Sequence, residues 1–307
     1  MKTPYACIPL PILLFVLGAM LAVSSCNQKE LSFIGEDVRV RVVFDWQDAL
    51  HADPEGMTLL FFPADSQSMS WRFDIPKRGG GEIELLSGIY NIVAFNSDLP
   101  GVEFLNTDSF RLISANARNY AGSLTSPTGM LYSAIMTDVP VFPSEPYSRM
   151  IRLKPDSLST VYRICLDSVS GTHRIKTATA VLKGTARSVC LSLQKNSADT
   201  CCMASTLRIA PDNPERLETV ASGFGRPDIP DPRFQLEVTV TTSHGRYSKT
   251  FDVTDQVMNC KYPKNVDIYI KGLVIPEADT PTNPDGTHDV GISVGVDGWQ
   301  LIEIIYS

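Results

Sequence analysis

Gly291-Ile292-Ser293-Val294-Gly295 has the spacing of the G-x-S-x-G nucleophile elbow. That elbow needs a sharp strand-to-helix turn, with an acid and then a histidine later in the chain. Asp297 follows, but the last histidine, His288, precedes the serine, and the segment itself reads as a strand. The four histidines, His51, His173, His244 and His288, lie outside metal-ligand spacing of one another and of any cysteine pair. Cys201 and Cys202 are adjacent, so they form neither a C-x-x-C redox motif nor half of a zinc ribbon. Asn283-Pro284-Asp285-Gly286 has part of a calcium loop, but Pro281 and Ile292 stand where the loop needs an acid and a glutamate. Glu82 and Glu84 are two apart on a strand and share a face. Paired carboxylates could serve glycoside hydrolysis, yet with Ile83 and Leu85 opposite them they read as a solvated strand face. The sequence therefore predicts no enzyme, no cofactor and no metal. Trp46 and Trp299 sit at strand ends and are the candidates for exposed, ligand-binding aromatics; Trp71 shares its parity with Phe73 and Ile75 and is assigned to the core.

One position has an assigned chemistry. Lys2 precedes an apolar run from Ile8 to Val23, and Leu21-Ala22-Val23-Ser24-Ser25 leads into Cys26. A positive start, a short apolar core and small residues at the end make a secretory signal peptide, and the run is too short for a spanning helix. The ending resembles the bacterial lipobox. That resemblance implies removal of residues 1–25, acylation of Cys26 and membrane attachment through acyl chains worth about 0.8 kcal/mol per buried methylene. The 27 basic and 34 acidic residues give a net charge of −7, which becomes −8 when Lys2 leaves with the signal. An acidic chain without a basic stripe is a poor partner for nucleic acid. Of the seven cysteines, Cys7 leaves with the signal and Cys26 takes the lipid. Cys165, Cys190, Cys201, Cys202 and Cys260 remain, open either to one or two disulfides or to a reduced, buried state.

The elements that carry these residues read as strands. Val38, Val40, Val42 and Phe44 alternate with polar residues, and Met57–Pro63, Ser70–Pro76, Glu82–Leu85 and Ile89–Asn96 follow at short intervals. Lys77-Arg78-Gly79-Gly80-Gly81 is a turn. Weaker strands are expected at Phe110–Ile113 and Met130–Met136. Val139–Pro146 holds three prolines and is assigned as the connector between two domains. Beyond it, strands are expected at 148–153, 159–167, 174–182, 188–194, 205–209, 235–241, 247–253, 265–273, 290–296 and 299–306. Pro211–Pro232 reads as a long surface loop, and Thr254 as the N-cap of one helical turn. The class is all-β, and the connector favours two sandwiches over one barrel. The expected division is a signal peptide at 1–25, a lipidated tether at 26–37, an N-terminal β-sandwich at 38–143 and a C-terminal β-sandwich at 144–307.

The lipobox to Cys26, the strand Val40–Trp46 and the segment Ser87-Gly88-Ile89-Tyr90-Asn91-Ile92-Val93-Ala94-Phe95-Asn96 together resemble a family of Bacteroides lipoproteins related to fimbrillin-like and fimbrial anchor proteins. The resemblance implies two tandem transthyretin-like (immunoglobulin-like) sandwiches at the outer membrane. It also implies a structural or assembly role in a fimbria-like surface structure, with fimbrial subunits as partners. Strand addition would be the mechanism: an open sheet edge accepts a subunit's strand. The alternative is a glycan-binding surface lipoprotein that uses Trp46 or Trp299 as a stacking platform. Lys77-Arg78 ahead of three glycines is also cleavable chemistry.

Overall fold

The computed structural model describes residues 35–65, 69–143, 149–275 and 300–301. The first half contributes β1 (Asp37–Phe44), β2 (Met57–Pro63), β3 (Trp71–Ile75), β4 (Gly80–Leu86), β5 (Gly88–Phe95) and β6 (Val102–Leu105). It continues with β7 (Ser114–Ala117), β8 (Asn119–Ala121), β9 (Leu124–Thr125), β10 (Tyr132–Val141), β11 (Arg149–Leu153) and β12 (Asp156–Ser157). The second half holds β13 (Thr160–Asp167), β14 (Thr177–Ala186), β15 (Ser188–Cys190), β16 (Lys195–Asn196), β17 (Thr200–Thr206) and β18 (Arg208–Ala210). It ends with β19 (Asn213–Gly223), β20 (Gln235–Thr241), β21 (Arg246–Asp252), the short helix α1 (Thr254–Met258), β22 (Asn265–Lys271) and β23 (Gln300–Leu301).

The fold is all-β and built of sandwiches. In the first, the sheet β11-β1-β4 packs on the sheet β12-β10-β5-β2-β3. The alternating residues of β1, Val38, Val40, Val42 and Phe44, point inward and meet Met57, Leu59, Phe61, Tyr90 and Ile92. In the second, β18-β19-β13-β22 packs on β23-β21-β20-β14-β17-β9-β8. Tyr162, Ile164 and Leu166 there face Ala180, Leu182, Leu236, Val238 and Val240. Each fully buried large apolar side chain contributes about 1.5–3 kcal/mol of transfer free energy.

β2 is apolar at consecutive positions because it is covered on both faces. Met57, Leu59 and Phe61 belong to the first core, whereas Leu60 and Phe62 join Val93 and Phe95 in a third cluster. That cluster also takes Ala115, Ala117, Ala186, Val189 and Phe224, so it lies between the two halves. Strands cross over there as well: β7 pairs with β15, and β9 pairs in parallel with β17.

Several sequence expectations are corrected by these pairings. The proline segment is not a connector from its start, because Val139, Pro140 and Val141 complete β10 and pair with Tyr90, Ile89 and Gly88. A register shift between Met136 and Val139, with Asp138 at φ 53°, prepares the strand for Pro140, as bulges do. β11 pairs in parallel with β1 and β12 pairs with β10, so both belong to the first sandwich. Residues 213–223, expected in a loop, form the eleven-residue β19 at the centre of its sheet. Residues 110–112 form a turn ahead of β7, and β15 is only three residues long. Val253, not Thr254, is the N-cap of α1. The Thr254 hydroxyl instead accepts from the Phe234 N–H at 2.9 Å. All five described cysteines are free thiols.

Candidate interaction edges

Among the described residues, β3 and β4 are edge strands of the first sandwich, and they face each other. β3 ends the five-stranded sheet and β4 ends the three-stranded one. Between them runs a groove of about 470 Å³, lined by Phe73, Asp74, Ile75, Pro76, Lys77, Gly80, Gly81, Glu82, Ile83 and Glu84. Ile75 closes one end, where a Cβ on Gly81 would lie 3.2 Å from its Cγ2. Phe73 is half-buried over Phe61, with centroids 5.7 Å apart at a T-shaped angle. Glu82 and Glu84 are exposed on the outer face.

The turn joining β3 to β4 is pinned. Gly80 sits at φ 114°, and a Cβ there would meet the Val42 carbonyl oxygen at 2.1 Å, so only glycine lets β4 lie this close to β1. The Trp46 indole donates from Nε1 to the Arg78 carbonyl at 2.7 Å. The Arg78 guanidinium lies 5.5 Å from the centroid of the same indole and donates to the Leu50 carbonyl at 3.1 Å. Arg78 is thereby held through both its carbonyl and its guanidinium, in a turn where Lys77 and Arg78 are exposed. On β3, Arg72 reaches Asp74 at 3.2 Å. Burial pushes the Asp74 carboxyl up, but the Thr58 hydroxyl, 2.6 Å from Oδ1, and the Arg72 guanidinium together hold it below the ordinary aspartate value.

Among the described residues, β22 is an edge strand of the second sandwich and pairs with β13 on one side only. Here a side chain covers the middle of the edge. Gln256 of α1 accepts from the Tyr269 N–H at 2.7 Å and donates to the Tyr269 carbonyl at 3.2 Å. The Tyr269 hydroxyl donates to Asp167 at 2.7 Å, and Arg216 lies 3.5 Å from the same carboxylate. The tyrosine hydrogen bond and Arg216 hold Asp167 below its usual range, and the same bond raises Tyr269.

A broader groove of about 1560 Å³ crosses the second sandwich, lined among others by Tyr120, Arg163, Lys183, Glu237 and Asp267. Two ion pairs lie along it: Lys183 with Glu237 at 2.6 Å and Arg163 with Asp267 at 3.5 Å. Among the described residues, no nucleophile, base and orienting group converge there.

The residues singled out from the sequence scatter. Cys26 and Trp299 lie outside the described residues, as do 283–286, His288 and 291–295. Trp46 is only 8 % exposed and cannot act as a surface platform; its ring packs edge-on against Tyr132 at 5.7 Å. Trp71, assigned to the core, is 40 % exposed on the free edge β3. His51, His173 and His244 are exposed on separate loops. Cys201 and Cys202 point to opposite faces of β17, the first fully enclosed near Thr125 and Thr185. Burial pushes the Cys202 and Cys165 thiols up, away from reactive thiolates. Gln256 was missed, since nothing in the 254–258 helical turn marks a glutamine that caps a strand.

Residues 25–207, well over half of the chain, match the domain of unknown function DUF5119. The chain belongs to this family. The DUF5119 match begins one residue before Cys26 and runs through the first sandwich to the loop after β17. A Bacteroides ovatus protein provisionally named fimbrium anchoring subunit Fim4B is 23 % identical over 109 residues, 36 % of this chain. The match spans about a third of that relative's length (32 %). Among solved structures, a provisionally named adhesin of Bacteroides ovatus superposes with a TM-score of 0.66 at 15 % identity, covering 80 % of this chain and 95 % of that one. The fimbrial anchor protein Mfa2 of Porphyromonas gingivalis gives 0.50 at 12 % identity, over 87 % and 96 %. The resemblance to fimbrial anchor-like proteins read from the sequence holds at the level of the fold.

Proposed function

We propose that this DUF5119 chain is a cell-envelope structural protein, not an enzyme, that anchors or forms part of a fimbria-like surface structure. The open seam between β3 and β4 carries this reading: two strands that, among the described residues, are each paired on one side only flank a groove with apolar walls at Phe73, Ile75 and Ile83. An incoming strand would pair with either margin through its backbone and place alternate side chains in the groove. The names of the B. ovatus relative and of Mfa2 support the same class of role. In this reading residues 1–25 are removed, Cys26 carries the lipid, and 26–37 tether the sandwiches to the outer membrane. The partners are fimbrial subunits. The glycan-binding alternative loses Trp46 as its platform, while its other candidate, Trp299, lies outside the described residues.

The test compares cells bearing the parent, Cys26→Ala and Gly81→Leu. The parent should fractionate with membranes and retain the polymer. Cys26→Ala should release the chain into the soluble fraction; if it stays with the membranes, the tether is wrong. Gly81→Leu projects a side chain into the seam, so it should remain on the membrane but lose the polymer. Retention of the polymer by that variant would overturn the seam.

A further inference from the structure

The free margin of β22 carries a lock. In an antiparallel ladder, a hydrogen-bonded residue exchanges two bonds with the residue opposite it. Gln256 makes both of these bonds with Tyr269 through one side-chain amide. Its position is fixed from two sides. Val257, the next residue, is fully buried in the second core, and the Thr254 hydroxyl is bonded to the Phe234 backbone.

Because N–H and C=O groups alternate sides along a strand, Asp267 and Lys271 present theirs to the same margin as Tyr269, while the Asn265 N–H is already taken by the Tyr262 carbonyl at 2.8 Å. A row of this kind is a template for another strand. This one is also complementary to itself. Antiparallel pairing of two copies about Tyr269 sets Asp267 against Lys271 of the second copy, twice over, and Ile268 against its Ile270. Opposite charges facing across a strand pair are favourable.

We propose that Gln256 locks this edge and keeps β22 from pairing with the β22 of a second copy of the chain. The proposal concerns the second sandwich alone and does not rest on strand addition at the β3–β4 seam.

Light scattering over a concentration series tests it, using the full chain with Cys26→Ala so that no acyl group drives association. The parent should keep one mass throughout. Adding Gln256→Ala should raise the mass toward twofold as concentration rises. Adding Asp267→Pro to that variant removes an edge N–H without touching the β13 ladder, and should return the mass to the monomer. A Gln256→Ala chain that stays monomeric overturns the proposal, as does association that survives Asp267→Pro. Hydrogen exchange on the parent gives a check that needs no variant: the Tyr269 amide should be protected, and free exchange there overturns the lock.

Discussion

Among the described residues, the β3–β4 seam and the β22 margin are both unpaired strand edges, and they are treated in opposite ways. At β22 a glutamine amide occupies the middle residue, and a tyrosine–aspartate bond holds that residue still. At the seam, the contact between Ile75 and Gly81 closes only one end. An exposed edge favours association with any strand that reaches it, so proteins normally cover or blunt it. In the proposed reading, the edge left open is the one to which a partner strand adds.

The largest expected effect comes from the glycines that set the strand spacing on each side. Gly80→Ala puts a methyl against the Val42 carbonyl, and Gly184→Ala puts one 2.0 Å from the Arg233 carbonyl at φ 94°. Each should cost about 2–4 kcal/mol in denaturant unfolding, from positive-φ strain plus a backbone clash. Only Gly80→Ala should also widen the seam, seen as faster amide exchange along β4. Equal exchange in the two variants would break the comparison.

Next in size is Trp46→Phe, which keeps the ring but loses the bond to the Arg78 carbonyl and weakens the cation–π contact. A loss of about 1–2 kcal/mol is expected. Limited trypsin digestion should then cut after Lys77 or Arg78 much faster than in the parent. An unchanged cleavage rate would show that the indole does not pin this turn.

The smallest effect is a pH dependence at the seam. Asp74 is lowered in the folded state, so its contribution is fully present above the ordinary value of 3.8 and is lost as pH falls through the lower folded value. Asp74→Asn should lower neutral-pH stability slightly, a small loss because the Arg72 pair is exposed, and flatten the acid limb of the thermal melting curve by the same amount. An acid limb as steep as the parent's would exclude Asp74 as its source.

Much of the fold was legible in the sequence, and the failures have local causes. β20 alternates Leu236, Val238 and Val240 with polar residues, and β1 does the same, so their periods announce them. β19 was hidden because Pro214 stands near its start and only Leu217, Ala221 and Gly223 are buried along eleven residues. The place of β11 could not be read, since a parallel pairing to β1 across more than one hundred residues leaves no local mark. Trp46 looked exposed because it follows a strand end, yet its buried partner is a carbonyl 32 residues away. The edge chemistry was least legible. Tyr269 and Gln256 are 13 residues apart, and their bond depends on where α1 docks against β22.

The most direct test of this contrast is site-specific photo-crosslinking on assembled cells, with the probe at Glu82 beside the seam or at Asp267 on the β22 margin. The account predicts covalent adducts to a fimbrial subunit from Glu82 and none from Asp267. Adducts from Asp267 with none from Glu82 would contradict it.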